Sequence, residues 1–488
     1  MRVAGERRAR AGTPPAGAAG GGLAEGIGIL ARQASRAGGT PGVLSASVPI
    51  EPFDAVALYA AAVEAGLEAA VWLRPNEGFA LVGIGRAWVV EAAGEGRFGD
   101  VAAAMRSLAS TARVSRSAGI RGLGPVLVGG LGFTGRVPAP GGEWAPFGAA
   151  SLVLPSLLAQ GTAGGQWLTG SVAAAGEAAR LEAMWAGIAA RAAEMAPRAG
   201  EPVAPAGARL AIDSEHPSAE RWRHVVGLMA GAVGRGRLDK VVFARRVDLT
   251  SSGAPLDVPG ALRRLAGTAP ESTVFAFRRG DAVFIGATPE RLVRADGRAY
   301  RTAAVAGSMR RGAGPAEDAA LAAELLASEK EREEHAVVVR AIRHQLGPVS
   351  EHIEVAPEPG ILVLRHVQHL VTEISGTVRS NDGLLALAEL LHPTPAVGGE
   401  PRDLALAMID ENEGFDRGWY AGPVGWLSPD GDGELMVALR CGLVQGSRAS
   451  LYAGCGIVAD SDPDREWEES RIKMRTLAAA LGRPGDEP

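Results

Sequence analysis

LYAGCGIVADSDPDREWEESRIKM, residues Leu451 to Met474, is the stretch from which the chain is best read. It opens as a β pattern in which Gly454 and Gly456 let a backbone approach a ligand closely. It turns through Asp460-Ser461-Asp462-Pro463, where Asp462 suits an N-cap and Pro463 the first helical position. On the helix predicted to follow, Glu466, Glu469 and Lys473 fall at i, i+3 and i+7 and share one face. Two carboxylates and an ammonium then stand beside a glycine-lined strand end. The plainer reading is a capped surface helix with a Glu469–Lys473 ion pair, a common helical arrangement. The rest of the chain weighs against that plainer reading.

Glu331 and Glu334, again three apart, lie on a long helix predicted over residues 315–346. Two ExxE faces on separate helices repel one another if they converge without a cation. A hard divalent ion takes oxygen ligands and keeps waters and substrate oxygens, which suits Mg²⁺. His335 is expected to lie off the carboxylate face and pack. Lys240 begins the apolar strand KVVFARRVDL. Burial lowers a lysine's pKa, and a neutral amine acts as a base near neutral pH; the competing reading is a strand-end lysine reaching solvent. Glu290 ends FIGATPE, where a buried carboxylic acid has a raised pKa and donates a proton. Its competing reading is a loop-tip salt bridge with Arg291. Arg440 ends MVALR and is placed to clamp a carboxylate.

With 488 residues, 47% hydrophobic and 22% charged, the chain has the composition of an ordinary soluble protein able to bury a large core. A net charge of −5 and the lack of a basic stripe with interleaved aromatics argue against nucleic acid. Cys441 and Cys455 alone give no disulfide framework and no thiolate metal site, which fits a cytoplasmic location. No apolar run reaches the length of a membrane span. The Ala/Gly/Pro-rich segment 1–22 reads as a disordered tail rather than a secretory signal. A monomer is the default, since no interface stripe is evident.

Three parts are expected: the tail, an N-terminal α/β scaffold over 23–205 belonging to the same fold, and a catalytic region over 206–486. In the scaffold, 43–50, 69–75, 79–85 and 124–133 read as strands, 148–158 as a further strand, 52–66 as a helix and 171–195 as a long helix. Residues 197–209 form a Pro/Gly-rich linker or surface loop. Beyond it come an amphipathic helix over 217–235, successive antiparallel strands over 272–300, a glycine turn over 304–312, a strand over 363–378, a helix over 384–391, and a hairpin over 419–444 turning at Pro-Asp-Gly-Asp-Gly.

KVVFARR, FIGATPERL, AGSMRRG, LASEKEREEH, VQHLVTEISG, HPTPAVGGEP, FDRGWYAGPVGW, GDGELMVALRC and YAGCGIVADSDPDREWEES occur in an order that resembles the chorismate-utilising enzymes. The resemblance covers roughly residues 210–480, and more loosely GFALVGIG and the loop near Trp144. It implies an α/β fold of the α+β type: a large twisted antiparallel β core of two packed sheets with helices outside. It implies that Lys240 activates water for attack at C2 of chorismate and that Glu290 protonates the departing C4 hydroxyl. Glu334 and Glu469 match magnesium ligands, with Glu331 and Glu466 in or near the shell through water. Arg440, Gly454, Gly456 and Lys473 match carboxylate-binding positions, and Gly307 and His369 lie beside the ring. Within the family, Lys240 favours water over ammonia as nucleophile. Ala306 stands where the aminodeoxychorismate-forming branch has a nucleophilic lysine. Ala396 is similar to the isochorismate-forming branch, where the salicylate- and anthranilate-forming branches tend to threonine. Cys455 replaces the usual alanine, and Glu434 is followed by leucine rather than an aromatic; neither is expected to touch an assigned catalytic group. The expected activity is Mg²⁺-dependent conversion of chorismate to isochorismate. Salicylate formation, or amination with an amidotransferase partner, are the alternatives.

Overall fold

The computed structural model describes residues 22–36, 42–115, 124–173, 175–197, 210–252, 254–364, 367–379 and 383–483. All but the last residue of the expected tail, and all but the first residue of the expected linker, lie outside the described residues. Two large sheets carry the fold, one of thirteen strands and one of ten. Pairing is antiparallel throughout except between Leu44–Pro49 and Arg113–Ser115. In the larger sheet Lys240–Ser251 pairs with Arg448–Ile457, which leads through Cys441–Gln445 and Ala282–Thr288 to Thr273–Arg279. Thr273–Arg279 then pairs with Ala69–Arg74, so the sheet runs on into the N-terminal region. The smaller sheet does the same where Pro423–Leu427 pairs with Leu127–Leu131. Both sheets thus cross the expected boundary at residues 205 and 206.

Alternation along these strands buries one face of each sheet against the other. That interior holds an aromatic cluster. Trp144 meets Phe284 with ring centroids 5.2 Å apart, and Phe147 meets Trp419 at 5.1 Å, both edge-on. The other face of the larger sheet is apolar too and is covered by helices, including Ala55–Glu64, Ala178–Met195, Val258–Thr268 and Pro463–Leu481. No helix among the described residues is long and apolar enough to cross a membrane.

Several sequence expectations are corrected. The strand read over 148–158 is two strands, Ala150–Leu154 and Leu157–Thr162, in different sheets. Pro155 breaks the ladder between them, because it has no N–H to donate. The helix read over 171–195 begins only at Ala178, its first residues completing the strand Gly165–Val172. The glycine turn at 304–312 is instead the end of the strand Ala299–Arg310, with a bulge at Gly307. The helix read over 315–346 divides into Pro315–Ala327 and Glu329–Leu346. Ser328 caps the second by accepting a hydrogen bond from the Glu331 N–H. The hairpin forms as Pro423–Leu427 and Gly433–Val437, but the chain then passes to the other sheet as Cys441–Gln445.

Candidate active site

One cavity of about 300 Å³ is lined by every site residue the sequence nominated: Lys240, Glu290, Gly307, Glu331, Glu334, His369, Ala396, Arg440, Gly454, Gly456, Glu466, Glu469 and Lys473. Lys240 opens its strand, and strand pairing places Gly456 opposite Val242. A Cβ on Gly456 would lie 2.4 Å from Lys240 Cε, so the lysine stem occupies the space a side chain would fill. The ammonium does not run out to solvent. Lys240 Nζ donates to Glu334 Oε1 at 2.7 Å, with the side chain 12% exposed.

Glu331 accepts from the Ser308 N–H at 3.0 Å. The bulge at Gly307, with φ of +74°, aims that N–H at the helix. Ser308 Oγ in turn lies 2.8 Å from His369 Nδ1. Burial, aided by the nearby Arg440 and Lys473 charges, pushes the His369 pKa down to about 3, so its ring is neutral at physiological pH. His335 packs as expected, buried, with Nε2 2.7 Å from Thr372 Oγ1.

Glu290 follows Thr288-Pro289 at the end of its strand, its carbonyl accepting from the Val437 N–H at 2.9 Å. Burial drives its carboxyl up to about 7, with Arg440, Lys240 and Lys473 opposing the rise. The competing salt bridge does not form: Arg291 pairs instead with the buried Glu434 at 2.8 Å. Arg440 sits in the left-handed region with φ of +50°, one of two such non-glycine residues among those described. Its guanidinium has no hydrogen-bond or ion-pair partner among the described residues, leaving a cation facing the cavity.

The helix Pro463–Leu481 begins as its sequence predicted, with Asp462 accepting from the N–H groups of Asp464 and Arg465. Lys473 Nζ lies 2.5 Å from Glu469 Oε1 and donates to the Gly454 carbonyl at 2.9 Å. Lys473 holds the Glu469 carboxyl below its ordinary range, whereas burial and then the Glu469 charge push Glu466 up. The expectation that Cys455 stays clear of the assigned groups is corrected. Its Sγ donates to the Glu466 carbonyl at 3.1 Å, and Cys455, Glu466 and Glu469 offer ligand atoms within 4.8 Å of one another. Glu331 and Glu334 share the cavity but are engaged by Ser308 and Lys240. This donor set suits a hard divalent cation: carboxylates from two helices face one polar cavity, and the Glu466–Glu469 repulsion lacks a full internal answer.

Sequence reasoning missed Tyr452 and Tyr420, which line the cavity as a stacked pair 5.4 Å apart. Tyr452 was findable, since it alternates with Gly454 and Gly456 on one strand face. The Lys330–Asp460 ion pair at the cavity rim was missed too, and nothing local in the sequence announces it.

Comparison with known proteins follows the same lines. Residues 30–482 match the family model for "Chorismate binding enzyme". The "Salicylate biosynthesis isochorismate synthase" of Pseudomonas aeruginosa is 37% identical over 91% of this chain and 91% of its own. The "Isochorismate synthase MenF" of Bacillus subtilis is 38% identical over 74% of this chain and 75% of its own. Among solved structures, the menaquinone-specific isochorismate synthase MenF of Escherichia coli matches with a TM-score of 0.74 and 26% identity, covering 94% of this chain and 99% of that one. With the fold, the cavity and the ordered motifs in agreement, the chain belongs to the family of chorismate-binding enzymes.

Proposed function

We propose that the protein converts chorismate to isochorismate with Mg²⁺ as cofactor. The observation that carries this reading is the meeting of Lys240 and Glu290 in one cavity, a candidate base and a half-buried candidate acid drawn from two strands. The names of the Pseudomonas and Bacillus relatives support the same activity. Lys240 takes a proton from a water that adds its oxygen to C2 of the ring. The ring double bonds shift, the C4–O bond breaks, and Glu290 gives its proton to the departing hydroxyl, which leaves as water. One water enters and one leaves, so the step is an isomerisation. The proton on Lys240 returns to Glu290 through solvent before the next turnover.

Glu334 and Glu469 would hold Mg²⁺, with Glu331 and Glu466 acting through its waters, and the ion would supply charge neutralisation at the ring carboxylate. Arg440 and Lys473 hold substrate carboxylate, and Ala396 leaves that wall of the cavity small. Chromatography of purified protein with chorismate and Mg²⁺ tests the reading. The expected result is a mixture of chorismate and isochorismate approaching equilibrium, with salicylate minor. Salicylate and pyruvate accumulating as fast as chorismate disappears would replace this reading with salicylate synthesis. A product formed only with added ammonia would remove Lys240 from its role.

A further inference from the structure

The helix that presents Glu466 and Glu469 is gripped on its other side by a stack of rings that the proposed chemistry does not use. Phe243 lies on the Lys240 strand and stacks on Trp222 with centroids 5.0 Å apart. Trp222 meets Trp467 edge-on at 5.9 Å, and its Nε1–H donates to the Pro463 carbonyl at 3.1 Å. Arg245, two residues along the strand from Phe243, sets its guanidinium 3.5 Å from the centre of the Trp467 ring. Trp467 follows Glu466 directly, and its carbonyl accepts from Ser470 Oγ at 2.6 Å. The carbonyls of Pro463, Glu466 and Trp467 are therefore each held by a side chain, from Trp222, Cys455 and Ser470.

Two features set Arg245 apart from an ordinary packing residue. It is 1% exposed, yet among the described residues Nε and Nη1 have no hydrogen-bond partner, and its one ion-pair partner, Glu215, is 3.4 Å away. A buried guanidinium left so poorly paired is costly to the fold. It does not line the substrate cavity. What it does is pin Trp467 to the strand that begins with Lys240.

We propose that Arg245 and Trp467, with Trp222, form a cation–ring clamp that fixes the reach of Glu466 and Glu469 into the cavity relative to Lys240. This rests on the Mg²⁺ reading above and deepens it. Arg245 and Trp467 are positioning residues: they touch neither substrate nor metal. The clamp acts where groups behind metal ligands act, by holding the ligands in one geometry, and loss of such support weakens metal binding about 10–100-fold.

The test is Mg²⁺ titration by calorimetry on purified protein without substrate, together with thermal melts and steady-state kinetics. Arg245→Met and Trp467→Leu are expected to raise the Mg²⁺ Kd at least about tenfold. Trp467→Phe, which keeps a ring under the guanidinium, is expected to recover most of the loss. Arg245→Met should melt no lower than wild type, since it removes a badly paired buried charge, and this separates positioning from bulk stability. KM for chorismate at saturating Mg²⁺ should change little. If Trp467→Leu fails to fold, Arg245→Met alone carries the decision. A wild-type Mg²⁺ Kd in folded Arg245→Met overturns the clamp while leaving the Mg²⁺ reading intact. No Mg²⁺ binding by the wild type overturns both.

Discussion

On the helix Glu329–Leu346 both acids of the ExxE pair are answered by the protein itself, Glu331 by a backbone N–H and Glu334 by Lys240. Of the ExxE pair on the helix Pro463–Leu481, only Glu469 has an ion-pair partner, and Glu466 is left with the Ser461 hydroxyl, beside Glu469 and a thiol. The same ExxE spacing therefore yields two different electrostatic situations. The second helix offers a cation unmet negative charge. The first offers it a carboxylate that must be taken from the candidate base. A cation bridging the two helices would thus report on both halves of the chemistry at once.

Substitution of Glu334 and Glu469, the proposed direct ligands, probes that difference most strongly. Glu334→Gln and Glu469→Gln should each abolish isochorismate formation with the fold intact by circular dichroism. Full activity in either variant, or after exhaustive chelation, would break the comparison. Lys240→Ala and Glu290→Gln should each cost about 10²–10⁴-fold in kcat while chorismate still binds. A loss of only about twofold would place that residue outside the reaction.

Glu331 and Glu466, proposed to act through water, sharpen the comparison further. Glu331→Gln and Glu466→Gln should each weaken Mg²⁺ half-saturation by about tenfold, the low end for groups acting behind a ligand shell. Equal, complete losses for all four acids would mean that the two helices act alike.

The smallest expected effect is on stability. Glu290 has a native pKa of about 7 against an ordinary 4.5, so the native state binds this proton more tightly than the unfolded state. The stability it contributes is fully present below 4.5 and is lost as pH rises through about 7. Glu290→Gln should therefore melt a few degrees above wild type at pH 8 and show no such advantage near pH 4. The same raised pKa sets the activity limb: rate should fall as pH rises through about 7, since only protonated Glu290 donates.

Local chemistry was legible where the determinants were adjacent in sequence. The cap at Asp462, Pro463 behind it and the shared face of Glu466, Glu469 and Lys473 needed only helical spacing and cap geometry. The ordered motifs brought in the fold and the distant cavity residues. What failed were features set by tertiary neighbours. Nothing in SEKEREEH separates one long helix from two, because Ser328 is as compatible with a helix interior as with a cap until the second segment turns toward the cavity. Pro155 was read through as part of one strand, and nothing local says that the chain changes sheets there. Cys455 was judged by its rarity rather than by its place opposite Phe243 and beneath Glu466. The Arg245–Trp467 contact joins residues far apart in sequence and has no local signature.

All cavity-lining residues fall between Lys240 and Lys473, which invites trimming the chain to that part. The strand pairings argue against it. Thr273–Arg279 and Pro423–Leu427 hydrogen-bond directly to Ala69–Arg74 and Leu127–Leu131. A fragment starting at residue 206 would expose both as raw sheet edges, reading TVFAFRR and PVGWL, with open N–H and C=O groups along apolar strands. Such edges template intermolecular pairing. The fragment would own every residue that lines the cavity and still be recovered as aggregate rather than as a minimal enzyme.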